Sequence, residues 1–125
     1  MAAVLIVATF GVTSAGVKYG LPVEVGATYA YGSMGSARSS SDTQQYIGCT
    51  LSTSGTTTYG TCSARGRNSS GVYQYANCQT TNAAHLDVIR TTNAISALEL
   101  TWDADTGTCR HISVTNYSYN APMVP

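Results

Sequence analysis

From Val23 to Gly32 the chain alternates, and Val23, Val25, Ala27, Tyr29 and Tyr31 fall on one face of an expected strand. Ser33 to Asp42 interrupts the pattern with small polar residues and reads as a loop. Three short segments rich in Tyr and Thr follow, Tyr46–Leu51, Thr58–Ala64 and Val72–Cys78, each carrying one cysteine. Ser52–Gly55 and Gly66–Gly71 separate them with residues that favour turns. Folding at those turns predicts a three-stranded antiparallel meander in which Cys49, Cys62 and Cys78 come level. Tyr and Thr suit the pleated surface of such a sheet.

One stretch has helical spacing. Asn82 is a good N-cap, and Leu86, Ile89 and Ala83 fall on one face of the residues that follow. Asp87 and Arg90 are spaced for an i,i+3 pair on the other face. Asn93 suits a left-handed position at the helix end. Period two then returns, with Leu98, Leu100 and Trp102 as the core face of a strand. Asp103–Gly107 reads as a hairpin turn, and Cys109–Tyr119 as the returning strand, stopped by Ala121-Pro122. The pattern predicts an α+β fold, mostly β, with an antiparallel sheet of about five or six strands, one short helix and two disulfides.

Ahead of these elements, Ala2 to Val12 is an apolar run followed by the small residues Thr13-Ser14-Ala15. Residues 1–15 therefore read as a secretory leader, although no Lys or Arg precedes the run to form an n-region. The alternative is an N-terminal strand of the folded domain, which Val4 to Val7 would suit. Residues 16–125 form one disulfide-stapled domain in this reading.

Composition adds an exclusion. Six Lys plus Arg balance six Asp plus Glu, and only 10% of residues are charged. That supplies no basic surface for nucleic acid or for an anionic membrane. The four cysteines form no C-x-x-C pair and their spacing does not suit zinc. In an exported chain they read as two disulfides. Three connectivities are open; hairpin geometry favours Cys62–Cys78 first, which leaves Cys49–Cys109.

Several blocks resemble a set of small secreted bacterial proteins of unassigned function. They are Tyr29-Ala-Tyr31-Gly-Ser-Met-Gly-Ser-Ala-Arg38-Ser, Gln45-Tyr46-Ile47-Gly48-Cys49, the Cys62 to Cys78 hairpin, Leu100-Thr-Trp102-Asp and Asn116-Tyr117-Ser118-Tyr119. The resemblance covers most of the chain after the leader. It implies export, to the periplasm or the medium, and a shared fold, and it carries no chemistry.

Candidate chemistry is thin. Asp105-Thr106-Gly107 matches the aspartic-protease tripeptide but falls where a hairpin turn is wanted. Asp103-x-Asp105-x-Gly107 hints at a calcium loop but lacks the closing Glu of an EF-hand. His85, Asp87 and His111 have no nucleophile elbow to serve, and Arg65 and Arg67 read as solubilising charges at a turn. No catalytic residue, metal ligand or cofactor is expected.

Nine tyrosines stand against one Phe and one Trp, and six of them form Tyr-x-Tyr pairs: Tyr29/Tyr31, Tyr73/Tyr75 and Tyr117/Tyr119. On a strand, i and i+2 share a face, so each pair makes a two-ring platform for a sugar ring or a peptide, or for packing over the sheet. The leading expectation is a secreted, non-enzymatic binding module with a carbohydrate or protein partner. Two others are a filament-forming protein that assembles by strand addition through the N-terminal run, and a small inhibitor or hydrolase.

Overall fold

The computed structural model describes residues 20–120. The leader, its alternative as a strand, and Ala121-Pro122 lie outside them. The cysteine meander is present as β3 (Tyr46–Ser54), β4 (Thr57–Arg67) and β5 (Tyr73–Thr80). Cys49 opposes Cys62, and Cys62 opposes Cys78, so the three are level as their spacing indicates. The strands run further than the turn residues suggest. Arg65 to Arg67 ends β4 rather than forming a turn, and the reversal is made by Asn68, whose N–H donates to the Val72 carbonyl and whose carbonyl accepts from Gly71.

The expected strand from Val23 to Gly32 is broken. β1 (Glu24–Val25) and β2 (Tyr29–Ser33) pair antiparallel around a turn closed by the Gly26 N–H on the Tyr29 carbonyl, 2.8 Å. Three residues in that turn change the parity of the second half. Val23 and Val25 stay buried, Ala30 and Gly32 take the inner face of β2, and Tyr29 and Tyr31 turn to the outer face, half-buried. Ala27, placed on the core face by alternation, is exposed.

The polar loop after β2 is in fact a short helix, α1 (Met34–Ser39). Ser33 caps it by accepting from the Ser36 N–H, and Met34 and Ala37 pack against the core. Its residues carry no apolar period, so nothing in their spacing announces it. The second helix, α2 (Ala83–Ile89), is the expected one. Asn82 Oδ1 accepts from the N–H groups of Ala84 and His85, Leu86 and Ile89 are buried, and Arg90 reaches Asp87 Oδ1 at 2.6 Å. Ala83 is exposed, and Asn93 is not left-handed: its side chain accepts from the Ile95 N–H instead. α2 lies on β4 at Gly60, where a Cβ would come within 2.7 Å of Ile89 Cδ1.

β6 (Ser96–Trp102) and β7 (Cys109–Asn116) form the final hairpin, with Leu98, Leu100 and Trp102 buried as their alternation predicts. β7 stops three residues early, and Tyr117 to Tyr119 form a turn closed by the Asn120 N–H on the Tyr117 carbonyl. β6 also pairs with β2, and β1 pairs with the end of β4 in parallel, Glu24 opposite Arg67. The result is one curled, mostly antiparallel sheet of seven strands with two short helices.

The curl corrects the expected disulfides. Cys62 opposes both Cys49 and Cys78, and it bonds to Cys49, Cα–Cα 4.0 Å. Cys78 bonds to Cys109, Cα–Cα 5.0 Å. The curl carries the start of β7 to the end of β5, where the Gln79 N–H donates to the Gly107 carbonyl and Gln79 bridges Thr108. Hairpin geometry alone favours Cys62–Cys78, because the two oppose each other across β4 and β5; the closure, made by residues distant in sequence, gives Cys78 to Cys109 and leaves Cys62 to Cys49. The two bonds limit the unfolded chain by roughly 3 to 4 kcal/mol each. Such a pair of disulfides points to an oxidising, extracellular-type environment.

Candidate functional site

The outer face of β2, β6 and β7 is built in rows by the strand register. Tyr29, Thr101 and His111 form one row, Tyr31, Glu99 and Ser113 the next, and Ala97 and Thr115 another. Small residues at 97, 113 and 115 leave a hollow between the larger side chains around them. It is a groove of about 590 Å³, lined by Tyr31, Ala97, Glu99, Ser113, Thr115 and Tyr119 among others.

Each wall tyrosine is one half of a stacked pair. The Tyr29 and Tyr31 rings are 6.0 Å apart and 12° from parallel, and those of Tyr117 and Tyr119 are 4.7 Å apart at 16°. The Tyr29 ring lies over Gly26, where any Cβ would fall 2.1 Å from a ring carbon. Its hydroxyl donates to Glu24 Oε2 at 2.7 Å. That bond to Glu24 does most to raise the Tyr29 phenol above its ordinary range, with burial and the carboxylate charge adding to it. Burial comes first for Tyr31, followed by its own bond to Glu24. Glu24 thus raises both phenols, chiefly through the hydroxyl bond at Tyr29 and second to burial at Tyr31.

The second pair sits on a turn, not on the strand its sequence suggested, and Asn120 fixes that turn. Its buried amide donates to the carbonyls of Ile95, 2.7 Å, and Thr115, 3.1 Å. Beneath it, the Ser96 hydroxyl donates to Asn116 Oδ1 and accepts from the Asn93 N–H. The floor offers the Glu99 carboxylate, 61% exposed, with His111 Nε2 3.9 Å away, and the hydroxyls of Ser113 and Thr115.

The third pair, on β5, is elsewhere and is organised differently. The Arg67 guanidinium lies 4.8 Å from the centre of the Tyr73 ring, and Tyr75 projects outward, 60% exposed. Asp42 joins this cluster. A bond from the Tyr73 hydroxyl holds its carboxyl below the usual range, helped by the Gln44 N–H and by the charge of Arg67. A second hollow of about 400 Å³, between α1 and β3, is lined by Arg38, Asp42 and Tyr46 among others. It is smaller and includes no tyrosine pair.

The candidate catalytic residues are each engaged apart from one another. His85 Nδ1 is 2.7 Å from the Thr80 hydroxyl, Asp87 binds Arg90, and His111 faces Glu99. Asp103 Oδ1 accepts from the Asp105 N–H inside the hairpin turn. Among the described residues no group of His, Cys, Asp or Glu is arranged to hold a metal ion, and no helix is long and apolar enough to cross a membrane. Glu99, Ser113 and Thr115 were not singled out from sequence. Alternation does put Glu99 on the face opposite Leu98 and Leu100, but what stands beside it depends on the β2–β6 pairing.

No family model, curated protein or solved structure matches the chain.

Proposed function

We propose that the protein is a secreted, non-enzymatic binding module that takes a carbohydrate chain in the groove between Tyr31 and Tyr119. The observation that carries this reading is that one ring from each of two stacked tyrosine pairs lines the same groove. Flat aromatic rings with polar tips suit the apolar faces of sugar rings, and the carboxylate and hydroxyls of the floor suit sugar hydroxyl groups. A volume of about 590 Å³ lies in the range of small-ligand sites. Export is supported by the two disulfides, by the sparse charge and by the apolar run with small residues that opens the chain.

A glycan array, followed by calorimetry on the ligand found, tests the reading. Tyr31→Ala and Tyr119→Ala should each weaken binding by about tenfold or more, while Tyr75→Ala, outside the groove, should leave it unchanged. Failure of the wild-type protein to bind any glycan, or equal binding by the two groove variants, would overturn it.

A further inference from the structure

Among the described residues no strand pairs with the outer edge of β3; β4 lies along the other edge. Natural edges are normally blunted by charge, proline or a bulge. Tyr46–Ser54 contains no Asp, Glu, Lys, Arg or Pro, and its nine pairs with β4 run without irregularity. Cys49 and Cys62 are opposed at a Cα separation of 4.0 Å, the close spacing of a non-hydrogen-bonded antiparallel pair. Cys49 therefore directs its N–H and C=O away from β4, and by alternation so do Leu51 and Thr53. The side chains of Leu51 and Thr53 are exposed, and Leu51 is one of the few large apolar residues left so, at 37%.

We propose that this edge pairs antiparallel with the same edge of a second copy, about a two-fold axis at Leu51. In that register Leu51 exchanges both backbone bonds with Leu51 of the partner subunit, and Cys49 does so with Thr53 of the partner subunit. A second copy fits because the edge is self-complementary under a two-fold. It also fits because a strand without charge, on a chain of zero formal net charge, meets its own image without repulsion. The pairing uses Cys49, Leu51 and Thr53 and not Tyr46 or Ile47, which line the hollow beside α1. One strand pair buries little area, so the dimer is weak and depends on concentration. None of the groove residues lies on β3, so two grooves stay open in the pair.

Sedimentation velocity on the full, oxidised chain over a concentration series tests this. The expected result is a monomer–dimer equilibrium that Leu51→Lys weakens by roughly tenfold or more. Thr53→Pro should weaken it too, since it removes an outward N–H at a position where edge strands accept proline. Intact mass and circular dichroism establish that each variant keeps its disulfides and its sheet. A monomer at every concentration up to about 1 mM would overturn the proposal, as would a dimer unchanged in both variants. A dimer abolished by deleting residues 1–15 yet indifferent to Leu51→Lys would also overturn it, assigning the edge to the N-terminal run.

Discussion

Cys78 on β5 is bonded to Cys109, the first residue of β7, and that bond ties together strands 31 residues apart. Next to it, Gln79 and Thr108 form a single bridge. The covalent link therefore reinforces a contact between β5 and the start of β7 that otherwise rests on this one bridge and the Gln79 N–H bond to the Gly107 carbonyl. Replacing both cysteines by serine should cost roughly 3 to 4 kcal/mol, and the Cys49/Cys62 pair, closing the shorter loop, somewhat less. Chemical denaturation of the two double variants measures the difference. A non-reducing peptide map should return Cys49–Cys62 and Cys78–Cys109, and a Cys62–Cys78 peptide would contradict the closure described.

Gly60 is a close-approach position rather than a flexible one. Its missing Cβ makes room for Ile89 Cδ1 at 2.7 Å and Leu86 Cδ2 at 3.2 Å. Gly60→Ala should destabilise the protein by about 1 to 3 kcal/mol through overpacking. Combined with Ile89→Ala, the loss should be less than the sum of the two single losses, because the truncated side chain vacates the space. Urea unfolding of the four proteins in the cycle gives the coupling.

The Tyr29–Glu24 bond sets a direction for alkaline behaviour. The folded protein holds the Tyr29 phenol above its ordinary value, first through that bond. A raised phenol favours the protonated, folded form, so its contribution is fully present below pH about 10 and is lost as pH rises through the folded value. Glu24→Gln should move the Tyr29 titration down towards the ordinary range and flatten the stability loss above pH about 10. Carbon NMR of the tyrosine ring resonances follows the titration directly; an unmoved Tyr29 would show that the carboxylate is not its main perturber.

Asn120 holds the turn that carries Tyr117 and Tyr119. Asn120→Ala removes a buried amide and leaves two carbonyls without that donor, a loss of about 1 to 3 kcal/mol. If the turn orients Tyr119 in the groove, ligand affinity should fall along with stability even at temperatures where the variant is fully folded. Calorimetry on the folded variant separates the two effects, and unchanged affinity would remove Asn120 from the account of the site.

Local chemistry made much of the fold legible. Asn82 announces its helix because an Asn side chain caps free N–H groups, and Leu98, Leu100 and Trp102 declare a core face by alternation. What could not be read came from contacts between distant residues or from small residues without a pattern. The turn at Gly26 to Thr28 reversed the faces of Tyr29 and Tyr31, α1 has no apolar period, and Cys109 reaches Cys78 only after the sheet has curled. The tyrosine pairs were visible as pairs, but their gathering around Glu99 needed the pairing of β2 with β6 and of β6 with β7. The third pair, on β5, looks the same in sequence and stands apart from that groove, because β5 pairs with β4 and none of its residues lines the hollow over β2, β6 and β7.

The groove is tested most directly by amide chemical-shift mapping during titration with the glycan that binds best. The account predicts that the largest changes fall on Tyr31, Ala97, Glu99, Ser113, Thr115 and Tyr119, on three strands and the turn after β7. Changes centred on Tyr73, Tyr75 and Arg67, with the β6–β7 face silent, would contradict it.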